Sequence, residues 1–179
     1  MHRKPLLQLL HSYDPKDSSE ILFKQQFIQF VMQNEKCFER SLEIGHVTAS
    51  CWLLNSTKSH ALLMHHFKLN EWFQLGGHCD GDPDVLSVSI KEAQEESGIK
   101  NIHAIDPSIF DLDIHLIPEN KKDKAHYHYD ARFLLQTEND NIVQNNESKA
   151  LLWIGKEDAL PTNNLSVTRM FKKWLLLSL

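Results

Sequence analysis

The chain has 179 residues, of which 41% are hydrophobic and 24% charged, and a formal net charge of -5 at pH 7. These values exclude a disordered or fibrous chain, and the length suits one domain better than two. The acidic balance speaks against a sequence-independent grip on nucleic acid, which needs a basic surface, and no apolar run reaches the ~18–20 residues of a membrane helix.

Met1-His2-Arg3-Lys4 precedes an apolar stretch broken by Gln8 and His11, with no small-residue cleavage site after it, so no secretory signal is read. The three cysteines, Cys37, Cys51 and Cys79, are far apart and odd in number. They suggest neither a disulfide framework nor a zinc knuckle, and a reducing cytoplasm is the expected location. Eleven histidines are many for this length, and several cluster.

Asp17-Ser18-Ser19-Glu20 has the pattern of a capping box ahead of an apolar run. Ile21, Phe23, Phe27, Phe30 and Val31 then recur at near-helical spacing, predicting a helix over about 18–34 with these residues on its covered face. That face serves either the domain's own core or a homodimer interface. Gly45 to Leu54 and Ala61 to Phe67 read as strands joined by the turn Asn55-Ser56-Thr57-Lys58, together a hairpin. Trp72 to Leu75 leads into Gly76-Gly77 and a polar loop. A helix over about Asp84 to Ser97 follows, stopped by Gly98. Strands are expected over Ile109–Ile117, His126–Leu135 and Leu151–Ile154. Lys121-Lys122-Asp123-Lys124 forms a solvated turn, and an amphipathic helix closes the chain over Leu165–Leu177. Strands interleaved with helices imply an α/β arrangement. The domain division is an N-terminal helical extension over 1–40 and the main domain over 41–179.

Within the second predicted helix, Glu92, Glu95 and Glu96 stand at i, i+3 and i+4 and share one face. Three adjacent carboxylates repel one another, and a divalent cation relieves that cost. Hard oxygen ligands of this kind suit Mg²⁺ or Mn²⁺. The glycine pair lets backbone approach a ligand closely. The alternative from the residues alone is a solvated acidic face.

This segment resembles the Nudix box: Gly, five residues, Glu, seven residues, then Arg-Glu-apolar-any-Glu-Glu-any-Gly-apolar. Gly77 fills the first glycine, and Glu92, Ala93, Glu95, Glu96, Gly98 and Ile99 fill the end without insertion or deletion. Two positions depart from the pattern. Pro83 replaces the internal glutamate, and Lys91 replaces the arginine. Lysine keeps the charge but loses the planar two-pronged donor.

The resemblance implies a Nudix-type α/β/α sandwich with a mixed sheet. It also implies a pyrophosphohydrolase that uses Mg²⁺ or Mn²⁺ to hydrolyse a small molecule linked to a nucleoside diphosphate, with neither nucleic acid nor membrane as partner. It assigns Glu92 and Glu96 as metal ligands and Glu95 as third ligand or water-orienting base. The Gly77 carbonyl would complete the shell, and Lys91 would support catalysis. The competing readings are a Nudix-fold module that binds a nucleotide without hydrolysis, favoured by Pro83 and Lys91, and a diphosphate isomerase, for which no acid/base pair is apparent.

His126-Tyr127-His128-Tyr129-Asp130-Ala131-Arg132-Phe133 alternates along a predicted strand. Tyr127, Tyr129, Ala131 and Phe133 would face the core. His126, His128, Asp130 and Arg132 would share the other face, with Asp113 and His115 at the same spacing on the preceding strand. That face reads as a substrate pocket, where Arg132 binds phosphate, as an auxiliary metal site, or as a hydrogen-bonded polar sheet face on which Asp130 pairs with Arg132 or a histidine. His-any-His is common on strands and is not read as a zinc site. His78, beside the glycine pair, is a candidate to touch the pyrophosphate. His46 reads as a satisfied core histidine.

Overall fold

A computed structural model describes residues 2–120, 123–144 and 148–179. In chain order the elements are α1 (Lys4–Ser12), α2 (Ser18–Gln33), β1 (Gly45–Leu54), β2 (His60–His66), β3 (Trp72–Phe73), β4 (Leu75–His78), α3 (Val85–Ser97), β5 (Ile102–Ala104), β6 (Asp111–Ile117), β7 (His126–Thr137), β8 (Ser148–Gly155) and α4 (Leu165–Leu175). The α/β class expected from the sequence is found. The eight strands belong to one mixed sheet along the path β3-β2-β1-β7-β5, with β4 also pairing β1, β6 pairing β7 and β8 pairing β2. Among the described residues, no helix is long and apolar enough to cross a membrane.

By contacts the chain forms two compact units. One gathers Met1–Ala49, Gly77–Val88 and Pro107–Phe133, and the other Ser50–Gly76, Ser89–Asp106 and Leu134–Leu179.

In the first unit, α1 is an element the sequence reading left out. Pro5 is tolerated in its first turn, and Leu6 and Leu10, one turn apart, are both fully buried. Arg3 Nη1 donates to the Val31 carbonyl at 2.8 Å, tying α1 to α2. Asp17 caps α2 by accepting from the Glu20 N–H at 2.9 Å, while the buried Glu20 carboxylate accepts from the Lys16 N–H at 3.0 Å. Phe27, Phe30 and Val31 form the covered face. Ile21, which the spacing assigned to it, is 49% exposed instead. Six residues before Phe27, it lies about 120° around the helix.

Phe30 stacks on Tyr129 of β7 with ring centroids 3.8 Å apart, and Phe27 meets the same ring at 5.6 Å. β6 and β7 pair antiparallel from Asp111↔Arg132 to Ile117↔His126. Tyr127 does not join the core: it is exposed, as is Leu116 opposite it. The rings of α2 meet Tyr129, and Tyr127 lies two residues nearer the end of the ladder where the connecting loop joins β6 to β7. Of the predicted turn between these strands, Lys121 and Lys122 lie outside the described residues.

In the second unit, β1 and β2 form the expected hairpin, with Leu54 opposite Ala61. Asn55 Oδ1 closes the turn by accepting from the N–H groups of Ser59 and His60. β8 runs antiparallel along β2 from His60↔Gly155 to His66↔Ser148, longer than predicted. β5 was not predicted; three residues carry too little periodicity to be read. Asn164 caps α4, whose buried Trp174 and Phe171 pack on Trp52 at 6.0 and 6.4 Å between centroids. Ser89 of α3 is fully buried and donates to the Ser50 carbonyl at 2.8 Å, anchoring the helix to β1. Gly98, at φ 73, ends α3 as expected.

Candidate active site

The acidic helix α3 presents its three glutamates unequally. Glu96 is 4% exposed, and its Oε2 accepts from the Gly76 N–H at 2.8 Å. Glu92 is half-buried and Glu95 exposed. Lys91 Nζ lies 3.7 Å from Glu95 Oε1, with both side chains mostly in solvent, an arrangement that contributes little in high dielectric. Gly76, at φ 153, brings its N–H to Glu96, and Gly77 follows it on β4. This donor set fits a hard divalent cation: three carboxylates on one helical face beside a glycine backbone.

The polar face of β7 holds two distinct groups, both within the first unit. At its buried end Arg132, 1% exposed, meets three carboxylates: Asp130 at 2.7 Å, Asp111 at 3.2 Å and Asp113 at 3.2 Å. All three acids are buried, and Thr48 Oγ1 donates to the second Asp130 oxygen at 3.0 Å. The pairing of Asp130 with Arg132 is the hydrogen-bonded arrangement weighed above. The guanidinium is directed at carboxylates, which take up the donors that a phosphate would need.

At the other end the histidines converge. His46, on β1, is 3% exposed. Its ring lies 5.1 Å from that of His78, 5.0 Å from His126 and 4.8 Å from His128, centroid to centroid. The His78 and His128 rings are 4.9 Å apart, and His115 lies 5.3 Å from His128. Both ring nitrogens of His46 and Nε2 of His128 are buried without a hydrogen-bond partner. The satisfied core histidine expected at position 46 is therefore not found. His115 Nδ1 pairs with Asp113 at 2.9 Å, and His126 Nδ1 with the Lys124 carbonyl at 2.7 Å.

Burial, then the neighbouring His78 and His126, push the His46 pKa down to about 4. Burial, then Arg40, does the same to His78, also to about 4. Burial, then His78 and His115, takes His128 to about 2. All three rings are thus neutral at pH 7. Burial, then Asp130, pushes the Cys79 thiol up, so it is no nucleophile.

The sequence reading placed His126, His128, Asp130 and Arg132 on one face but missed Asp111 as a partner of Arg132 and the convergence of His46 and His78 on His128. These residues lie far apart in the chain, and no local spacing signals their meeting.

A NUDIX domain model matches residues 45–175. A comparison with curated proteins finds no match. Among solved structures, a NUDIX-family hydrolase from Clostridium perfringens is similar at 24% identity, with 72% of this chain and 95% of that one covered and a TM-score of 0.53. A MutT NUDIX hydrolase from Burkholderia pseudomallei is similar at 16% identity, with 72% and 97% covered and a TM-score of 0.54. A C. elegans Ap4A hydrolase is similar at 17% identity, with 72% and 93% covered and a TM-score of 0.51. These likenesses carry the fold, the family model covers most of the chain, and the box on α3 retains its three glutamates. The chain belongs to the Nudix family.

Proposed function

We propose that this protein is a Mg²⁺- or Mn²⁺-dependent hydrolase of a small molecule containing a nucleoside diphosphate linkage. The observation that carries the reading is Glu96, buried on the acidic face of α3 and fastened to the Gly76 backbone. Glu92 and Glu96 would hold the metal, with the Gly77 carbonyl and Glu95 completing the set. A divalent ion there would neutralise pyrophosphate charge and lower the pKa of water.

Glu95, the exposed carboxylate of the three, would orient the attacking water and take its proton as one P–O bond breaks. Lys91 would limit the repulsion that Glu95 feels from its neighbours. His78 and His126 are the candidates to contact the phosphates. His128, Asp130 and Arg132 would act behind them by holding β7 in place. The expected setting is the cytoplasm, with 41–179 as the catalytic domain and the 1–40 extension covering it or joining a homodimer.

The test is a panel of nucleoside diphosphate derivatives with Mg²⁺ and with Mn²⁺, run beside Glu96→Gln. Loss of a metal-borne interaction of about 3 kcal/mol predicts turnover at least ~100-fold lower in the variant, and turnover abolished by chelator. The second reading, a binding module without hydrolysis, is favoured by the long Lys91–Glu95 separation and by Pro83. Ligands that raise the melting temperature without turnover would establish it.

A further inference from the structure

We propose that His46, His78 and His128 form a second metal site, for a borderline divalent transition ion of the Zn²⁺ class, distinct in chemistry and residues from the carboxylates of α3.

One ligand atom from each ring lies within 4.8 Å of the others. A tetrahedral Zn²⁺ with bonds of about 2.0 Å sets ligand nitrogens roughly 3.3 Å apart, so modest ring rotations close the set. Buried polar atoms are normally partnered. Here both nitrogens of His46 and Nε2 of His128 are buried and unpartnered, a costly arrangement that a metal ion relieves by taking one nitrogen from each ring. A proton cannot serve, because five imidazoles lie within about 5 Å of their neighbours.

The surroundings match what a metal needs. His115 hands its Nδ1 to Asp113, the carboxylate–imidazole pairing that raises ligand basicity. It stands opposite His128 in the ladder, while His126 flanks both His46 and His128. The three rings leave the fourth tetrahedral position open for water or a ligand oxygen. Behind them, Asp111, Asp113 and Asp130 outnumber the single Arg132 they enclose, a negative field that favours a cation. Imidazole nitrogens select Zn²⁺, Co²⁺ or Ni²⁺ over Mg²⁺.

The 179-residue chain, stripped with chelator, is dialysed against Zn²⁺ with Mg²⁺ in large excess to occupy the carboxylates. The expected result is one Zn²⁺ retained per chain. His78→Gln, at the half-buried end of β4, and His128→Gln should bind it at least ~10-fold more weakly, since loss of even an outer-shell partner does that much. Glu96→Gln should retain it. Independently of any variant, histidine-ring NMR should show at least three imidazoles shifting together with one equivalent of Zn²⁺, and Co²⁺ should bind with the intense visible absorption of a four- or five-coordinate ion. The proposal is overturned if Zn²⁺ is not retained, if fewer than three rings shift, or if Glu96→Gln releases the ion while the histidine variants keep it. None of these readouts depends on hydrolytic activity, so failure of the hydrolase reading and of this one are separable.

Discussion

Replacing Arg132 with Met removes one cation from three buried carboxylates. Arg132 is 1% exposed, and Asp111, Asp113 and Asp130 are 0%, 6% and 3% exposed, so water cannot rescue the charges left behind. Removing one partner of a buried ion pair costs about 3–5 kcal/mol, and a cation shared by three acids belongs at the upper end. At roughly 2–4 °C per kcal/mol for a chain of this size, the melting temperature should fall by about 6–20 °C. Urea denaturation followed by tryptophan fluorescence gives the free energy, and calorimetry gives the temperature. Arg132→Lys should recover only part of the loss, because an ammonium cannot bond three carboxylates in the planar fork that the guanidinium uses. The reasoning fails if Arg132→Met loses less than about 1 kcal/mol while KM rises sharply. That outcome would make Arg132 a substrate-phosphate ligand and the carboxylate cage a minor contributor.

Two further predictions concern stability. His46 has a folded pKa of about 4 against 6.5 for an ordinary imidazole. Above pH 6.5 it is neutral whether folded or not, and its contribution is complete. As pH falls from 6.5 to 4 the unfolded chain takes up a proton that the folded chain refuses. The metal-free protein should therefore lose about 3 kcal/mol over that window from this residue alone, read as a falling melting temperature. A flat profile would contradict the burial argument, and the His46→Gln variant should make it shallower, with His78 and His128 carrying the remaining slope. Gly98→Ala should cost about 1–2 kcal/mol, because position 98 has φ 73 and an added Cβ would sit 2.6 Å from the Val143 side chain. Equal stability by denaturant titration would show that α3 can end another way.

The acidic site was legible because its information is local. Glu92, Glu95 and Glu96 share a face for no reason beyond the pitch of a helix, Gly98 stops that helix through its own backbone freedom, and the glycine pair stands one short loop before it. The β1–β2 hairpin was equally readable, since Asn55 organises its turn from within the turn. Ile21 and Tyr127 were misassigned to covered faces because periodicity ranks positions on a face without saying how far the covering element extends.

By itself, then, the sequence determined the elements that are periodic or capped, and the carboxylates that one helix gathers. Only the tertiary structure decided the rest. It put Asp111 against Arg132 and drew His46, His78 and His128 together from β1, β4 and β7. Cross-strand register and loop placement are set by packing over the whole core, and no pairwise spacing along the chain encodes a meeting between side chains some twenty to eighty residues apart.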